Sequence, residues 1–109
     1  MYRVFLTAIL ASLPIAALAS ALAPSVILAT PSTYDGKSVT VTGTVSNFAA
    51  KNTMMGQFTR FDLCDAKCIN VIDKTNQTHT DGSTATITGT FHATFQAPKK
   101  TWNDVVVVQ

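Results

Sequence analysis

The sequence contains no glutamate, and charged residues make up only 13% of its 109 residues. Two cysteines and two histidines are too few for a zinc ribbon, an iron–sulfur cluster or any cage of four Cys/His ligands. Two cysteines also exclude a disulfide-dense miniprotein. With eight basic and six acidic residues, the net charge of +2 lacks the strong basic excess of many nucleic-acid-binding domains. A chain of this length allows one small domain.

Motifs that organise catalysis are missing as well. The sequence has no Ser-His-Asp or Cys-His arrangement in a motif context and no glycine-rich phosphate loop. His79 and His92 are isolated, and Asp62, Asp65 and Asp73 are interpreted as turn-capping or solvated carboxylates. We therefore predict a protein that is not an enzyme, with no catalytic residue, no metal and no cofactor.

The first residues have the pattern of a secretory signal peptide. Arg3 precedes a run without charge over residues 4–19, and small residues follow up to Ala23. This pattern predicts a signal peptide over residues 1–21, cleaved after Ala21 or alternatively after Ala23, and a mature domain over residues 22–109. An uncleaved membrane anchor is the alternative, because the apolar run is nearly long enough to span a bilayer. We expect an exported protein, periplasmic or secreted; in a eukaryotic host, Asn76-Gln77-Thr78 would be a glycosylation acceptor.

The rest of the chain is typical of short strands separated by turns. A weak apolar pattern predicts a short helix over residues 25–30, ended by Pro31. Alternation of apolar and polar residues predicts five strands, over residues 39–48, 57–64, 68–73, 83–95 and 103–108. The connecting segments 49–56, 74–82 and 96–101 are predicted loops. The last strand is apolar on both faces, so either it is covered on both sides, with the leading helix as one candidate for the cover, or it marks a partner surface.

Two of these strands echo one another. The segment DGKSVTVTGTV at residues 35–45 aligns with DGSTATITGTF at residues 81–91, and each carries a glycine in mid-strand, Gly43 and Gly89. A glycine inside a strand usually marks a bulge or a sharp bend. Two bent strands among five predict an all-β fold that curls into a small closed barrel, with valines inside and threonines facing water.

These segments, together with FTRFDLCDAKCINV at residues 58–71, resemble the OB-fold in its nucleic-acid-binding (tRNA/helicase-anticodon) sequence style. The resemblance covers residues 26–108 and implies a five-stranded Greek-key barrel preceded by a short helix. In that fold the outer face of strands two and three, with the loops after strands one and four, forms a binding groove. The resemblance also extends to periplasmic haem chaperones. No His-x-x-x-Tyr attachment pattern is present, however, so haem carriage is disfavoured.

The resemblance to the OB-fold implies a ligand-binding groove around two side chains of the second strand. Phe58 and Arg60 alternate with Phe61 and Leu63, so they point outward if the latter fill the barrel. Exposed aromatics stack on bases or sugars, and cations meet phosphates. The remaining predicted ligand-binding residues are Lys51, Asn70, Lys99, Lys100 and Trp102. Phe48 is expected to cap the barrel, and for Trp102 capping and binding are both open.

Cys64 and Cys68 flank a three-residue connection between two predicted strands. In an exported protein such a pair oxidises to a structural disulfide. A redox-active pair is the alternative, but it needs a cationic environment, and only Lys67 stands beside the opposing Asp62 and Asp65.

The sequence thus supports two functional hypotheses. The first is a binding module for an extended polymer, which the resemblance implies is single-stranded nucleic acid. The second is an envelope scaffold that docks a protein or peptide, a hypothesis that suits the nearly neutral charge and the threonine-rich outer faces.

Overall fold

The computed structural model describes residues 20–54, 56–97 and 99–109. The predicted signal peptide lies outside the described residues except for Ser20 and Ala21. The chain is mostly β: two short helical turns precede five strands. The elements are α1 (Pro24–Ala29), α2 (Pro31–Tyr34), β1 (Ser38–Thr53), β2 (Gly56–Cys64), β3 (Cys68–Asp73), β4 (Thr84–Ala97) and β5 (Lys100–Val108).

The five strands form one sheet that closes on itself in a ring. Its order is β1-β2-β3-β5-β4, and β4 returns to pair with β1. Four of the strand pairs are antiparallel, and β3 runs parallel to β5 with Asn70 opposite Val105 and Asp73 opposite Val108. The prediction of an all-β chain whose five strands curl into a closed sheet is confirmed at this level.

Alternation along the strands fills the inside of the ring. Val39, Val41 and Val45 are buried, and the threonines between them lie on the outer face. Phe61, Leu63, Val71, Phe91 and Val106 complete the interior, and Ile27 of α1 packs on it. On the outer face the hydroxyls of Thr40 and Thr88 lie 2.9 Å apart and those of Thr42 and Thr86 2.7 Å apart. The predicted division between inward valines and outward threonines is therefore confirmed.

Gly43 lies in the middle of β1 and Gly89 in the middle of β4. At both positions the backbone of a neighbouring strand comes too close to leave room for a side chain. A Cβ atom at Gly43 would lie 2.8 Å from the carbonyl oxygen of Cys64, and one at Gly89 would lie 2.5 Å from that of Val107. Neither has a positive φ. Because they have no side chain, the two glycines allow the backbones of adjacent strands to approach each other closely where the sheet bends.

Three strands extend further than the sequence predicted. Residues 49–53 were expected to form a loop, but they continue β1 as the partner of β2 from Ala49↔Arg60 to Thr53↔Gly56. Likewise β4 continues to Ala97 and β5 begins at Lys100, paired from Thr94↔Asn103 to Ala97↔Lys100. We call these paired extensions the β1–β2 arm (residues 49–54 and 56–60) and the β4–β5 arm (residues 94–97 and 99–103).

A β-bulge separates the β1–β2 arm from the part of β1 that closes the ring. The register between β1 and β2 shifts by one residue between Ser46 and Ala49. Asn47 has a φ of 55°, and its side-chain amide donates to the carboxylate of Asp62 at 2.9 Å. The backbone N–H of Phe48 donates to Asp81 at 3.0 Å. Two carboxylates from other segments therefore hold the bulge in place.

The N-terminal segment packs along the ring. Leu22 forms an isolated parallel bridge with Val41. The first helical turn ends before Pro31, as predicted, and Pro31 begins the second. Proline is tolerated at the first position of a helix because the N–H that it lacks would have no partner there.

Candidate functional site

A concave cleft of about 440 Å³ lies between the two arms. Both arms and the end of β3 contribute to it, so the ring closure brings together side chains that are distant in sequence. Its principal lining residues are Gln57 and Phe58 from the β1–β2 arm, Phe95, Gln96 and Trp102 from the β4–β5 arm, and Ile72 and Lys74 from the end of β3 and the turn after it.

Strand alternation places Phe58 on the cleft side of β2. Thr59, Phe61 and Leu63 are buried inside the ring, and Phe58 and Arg60 are half-buried on the other face. The predicted outward direction of Phe58 and Arg60 is confirmed. Phe58 lines the cleft directly, and Lys51 stands opposite it in the register of the arm.

The outer face of β5 forms the apolar base of this region. Val105 and Val107 are 0% and 4% exposed, and with Ile72 they form a second apolar cluster separate from the ring interior. Phe58, Phe95 and Trp102 pack against it. β5 is therefore covered on both faces within the same chain, as the first alternative predicted, and the cover of its second face is aromatic side chains of the strands.

Two cations lie against the ring of Trp102. The Nζ atom of Lys100 is 4.0 Å from a ring centroid, and the guanidinium carbon of Arg60 is 5.2 Å from one. Arg60 also forms an ion pair with Asp62, Nη2 to Oδ1, at 3.2 Å. Its Nε atom is buried without a hydrogen-bond partner. Trp102 lines the cleft, and both cations lie within cation–π distance of its ring. Its role in ligand binding stays a prediction.

The remaining predicted site residues differ in their surroundings. Asn70 donates its side-chain amide to the backbone carbonyl of Asn103 at 2.9 Å, so it ties β3 to the β4–β5 arm. Lys99 is exposed in the turn of that arm, directly before Lys100. The structure thus brings Phe58, Arg60, Lys100 and Trp102 together, places Lys51 and Lys99 on the arms, and uses Asn70 in a backbone contact.

Sequence reasoning missed Phe95, Ile72 and Lys74. Phe95 was assigned to the end of a strand, and its pairing with Trp102 was not seen because residues 96–101 were predicted to be a loop. A prediction that residues 94–97 pair with residues 100–103 would have brought the two aromatics together. Ile72 follows the outward phase of β3, set by the buried Ile69 and Val71, and this phase was the available signal.

A second group of rings packs against the core beside the bulge of β1. Phe48 lies 6.3 Å from Phe61, and His79 lies 4.8 Å from Phe61, measured between ring centroids. The expectation that Phe48 caps the interior is supported by its packing against the main core. Among the described residues, no group of three or more His, Cys, Asp or Glu side chains is placed to hold a metal ion.

Cys64 and Cys68 form a disulfide that joins the ends of β2 and β3. The two residues are register partners, so the bond closes the hairpin around residues 65–67. Asp65 lies within that turn and accepts hydrogen bonds from the hydroxyl and the N–H of Ser25 and from the N–H of Lys67. The Ser25 hydroxyl is the main cause that lowers the pKa of Asp65 below its usual value of 3.8, followed by the Lys67 N–H.

No family model matches the sequence, and comparison with curated proteins and with solved structures finds no match. Within the part of the chain that the structure describes, no helix has the length and apolar character needed to cross a bilayer. The proposals below therefore depend on the site itself.

Proposed function

We propose that the protein is an exported, non-enzymatic binding module with an OB-type Greek-key barrel, and that it binds single-stranded nucleic acid in the cleft between its arms. The ring order β1-β2-β3-β5-β4, with β3 parallel to β5, supports the barrel assignment. The two arms occupy the positions of the loops after strands one and four, which flank the binding face of that fold.

The cleft is the observation that carries the proposal. Phe58, Phe95 and Trp102 line the cleft on an apolar base, and every base of a single strand has a π-face that can stack on an aromatic ring. Arg60 and Lys100 hold positive charge against Trp102, within reach of a phosphate beside a stacked base. Lys74 is the one ionic side chain that lines the cleft in the described part of the chain.

Export is supported by the Cys64–Cys68 disulfide, because such bonds persist in oxidising compartments. The charge-free run over residues 4–19, followed by small residues, has the pattern of a secretory signal peptide and also supports export.

Oligonucleotide titration tests the proposal. Trp102 is the only tryptophan, so its fluorescence reports on the cleft while anisotropy of a labelled oligothymidylate reports binding. We expect Phe58→Ala to weaken binding by about 1–3 kcal/mol, the usual loss for one stacked base. Arg60→Ala is expected to weaken it and to reduce the slope of log K against log salt by about one.

Lys67→Ala is the matched control for the charge change. Lys67 is exposed in the β2–β3 turn, at the opposite end of β2 from Phe58, so its removal alters the net charge equally but leaves the cleft intact. If no oligonucleotide binds at low salt, or if Lys67→Ala weakens binding as much as Arg60→Ala does, the cleft is not a nucleic-acid site.

The second candidate is an envelope scaffold that docks a protein or peptide. The apolar base of the cleft, formed by Ile72, Val105 and Val107 beneath three aromatics, favours it because such a surface also accepts an apolar side chain. Binding of an aromatic peptide that persists at high salt, together with no oligonucleotide binding, would select this function over the first.

A further inference from the structure

A second hollow lies beside the cleft, on the outer face of β1, β4 and β5. Its volume is about 360 Å³. The hydroxyls of Ser38, Thr88 and Thr90 and the imidazole of His92 line it, together with Phe95 and Val107. None of the sequence patterns pointed to this place, since it is formed where the ring closes between β4 and β1.

The hollow and the cleft are neighbours. Phe95 lines both, so its ring is a wall that the two spaces share. Val107, which also lines the hollow, belongs to the apolar cluster on which Trp102 packs. The ring of His92 lies 5.3 Å from that of Phe95 with an interplanar angle of 43°. A ligand that leaves the cleft past Phe95 therefore meets His92 next.

The two spaces differ in chemistry. The cleft has aromatic walls and cations on Trp102, whereas among the residues that the structure describes no Lys, Arg or Asp lines the hollow. Hydroxyls and an imidazole can donate and accept hydrogen bonds at a base edge or a sugar hydroxyl, and an imidazole ring can also stack on a base. The hollow therefore fits the base and sugar of a nucleotide better than its phosphate.

From this continuity, and resting on the proposed function, we propose that the hollow is a second nucleotide subsite. A single strand passes from the cleft across Phe95 and places its next base or sugar against His92, Thr88 and Thr90. His92 is then a binding residue whose contribution appears only with strands long enough to reach it.

Length dependence tests this subsite. Affinities are measured for oligothymidylates from about two to about eight nucleotides, a series that starts below the smallest site of about four nucleotides for one such fold and extends beyond it. We expect a step of roughly fivefold or more once the strand reaches the hollow, the lower end of the effect of one stacked base. The step should persist as salt is raised, because no lysine or arginine lines the hollow.

Substitutions in the hollow test whether the increase in affinity with strand length arises there. His92→Ala and Thr90→Ala should remove it and leave the affinity of the shortest strand unchanged. Thr86→Ala is the matched control, since Thr86 lies on the outer face of the same strand but does not line the hollow. An affinity that rises with length equally in wild type and His92→Ala would overturn the subsite alone. Failure of every strand to bind at low salt would overturn the proposed function and this subsite with it.

Discussion

Gly89 shows at the level of one residue how closely the ring is packed. A Cβ atom at this position would meet the carbonyl oxygen of Val107 at 2.5 Å and a side-chain carbon of Val106 at 2.9 Å. Both neighbours are buried in β5, so neither can move without disturbing strand pairing. The glycine is thus required by the approach of backbone to backbone.

We therefore expect Gly89→Ala to destabilise the fold by about 1–3 kcal/mol, the usual cost of overpacking a core. The free energy of unfolding from urea denaturation measures this. Ala85→Gly in the same strand is a useful comparison, because it removes a methyl group without adding a clash. Unchanged stability in Gly89→Ala would mean that β4 and β5 are further apart than the structure shows.

We expect Asp65 to make the stability of the fold depend on pH in the acid range. Hydrogen bonds from Ser25 and Lys67 lower its pKa in the folded state, so the contribution of its carboxylate to stability is present above the unfolded pKa. That contribution is lost as the pH falls through the lower, folded pKa. Ser25→Ala removes the main cause of the shift and should flatten the decline of stability in acid. Urea midpoints from about pH 7 to about pH 3 measure this, and a decline as steep as in wild type would contradict it.

At the level of the element, the bulge in β1 sets where the β1–β2 arm leaves the ring. Asn47 supplies two things there: a left-handed backbone and a hydrogen bond to Asp62, which in turn holds Arg60. Arg60 in turn lies against Trp102, which lines the cleft. A change at the bulge is therefore expected to shift side chains in the cleft.

Substitutions at Asn47 separate these two roles. Asn47→Gly keeps the backbone conformation and loses only the side-chain bond, so we expect a loss of about 1 kcal/mol. Asn47→Ala loses the bond and also strains the backbone, adding roughly another 1 kcal/mol or more. Thermal or urea denaturation of the two variants makes the comparison. Equal stability of the glycine and alanine variants would show that the left-handed conformation carries no cost.

The elements that the sequence predicted best are those whose residues alternate. β3 was predicted with the bounds found, and the inward faces of β1 and β2 followed from Val41, Val45, Phe61 and Leu63. The arms were missed because polar segments such as residues 49–53 carry no alternation, and their strand character comes from pairing with a partner strand. Of the side chains that line the cleft, Phe58 and Trp102 were therefore predictable, and Phe95 was not.

On the scale of the whole molecule, the contacts of Leu22 distinguish what the two predicted cleavage positions would leave behind. The N–H of Leu22 donates to the carbonyl of Thr40 at 2.8 Å, and the N–H of Thr42 donates to the carbonyl of Leu22 at 3.0 Å. The side chain of Leu22 packs against the main core. Cleavage after Ala21 keeps these contacts, whereas cleavage after Ala23 removes them all.

We therefore predict that removal of the predicted signal peptide leaves a chain that begins at Leu22, which intact-mass measurement of the processed protein would show. A protein that begins at Pro24 should be less stable by about 2–4 kcal/mol, from two lost backbone hydrogen bonds and part of one leucine side chain returned to water. Leu22→Ala, which keeps both hydrogen bonds, should lose only the packing share of this difference. A mature chain that starts at Pro24 with undiminished stability would show that the bridge to β1 contributes nothing to the fold.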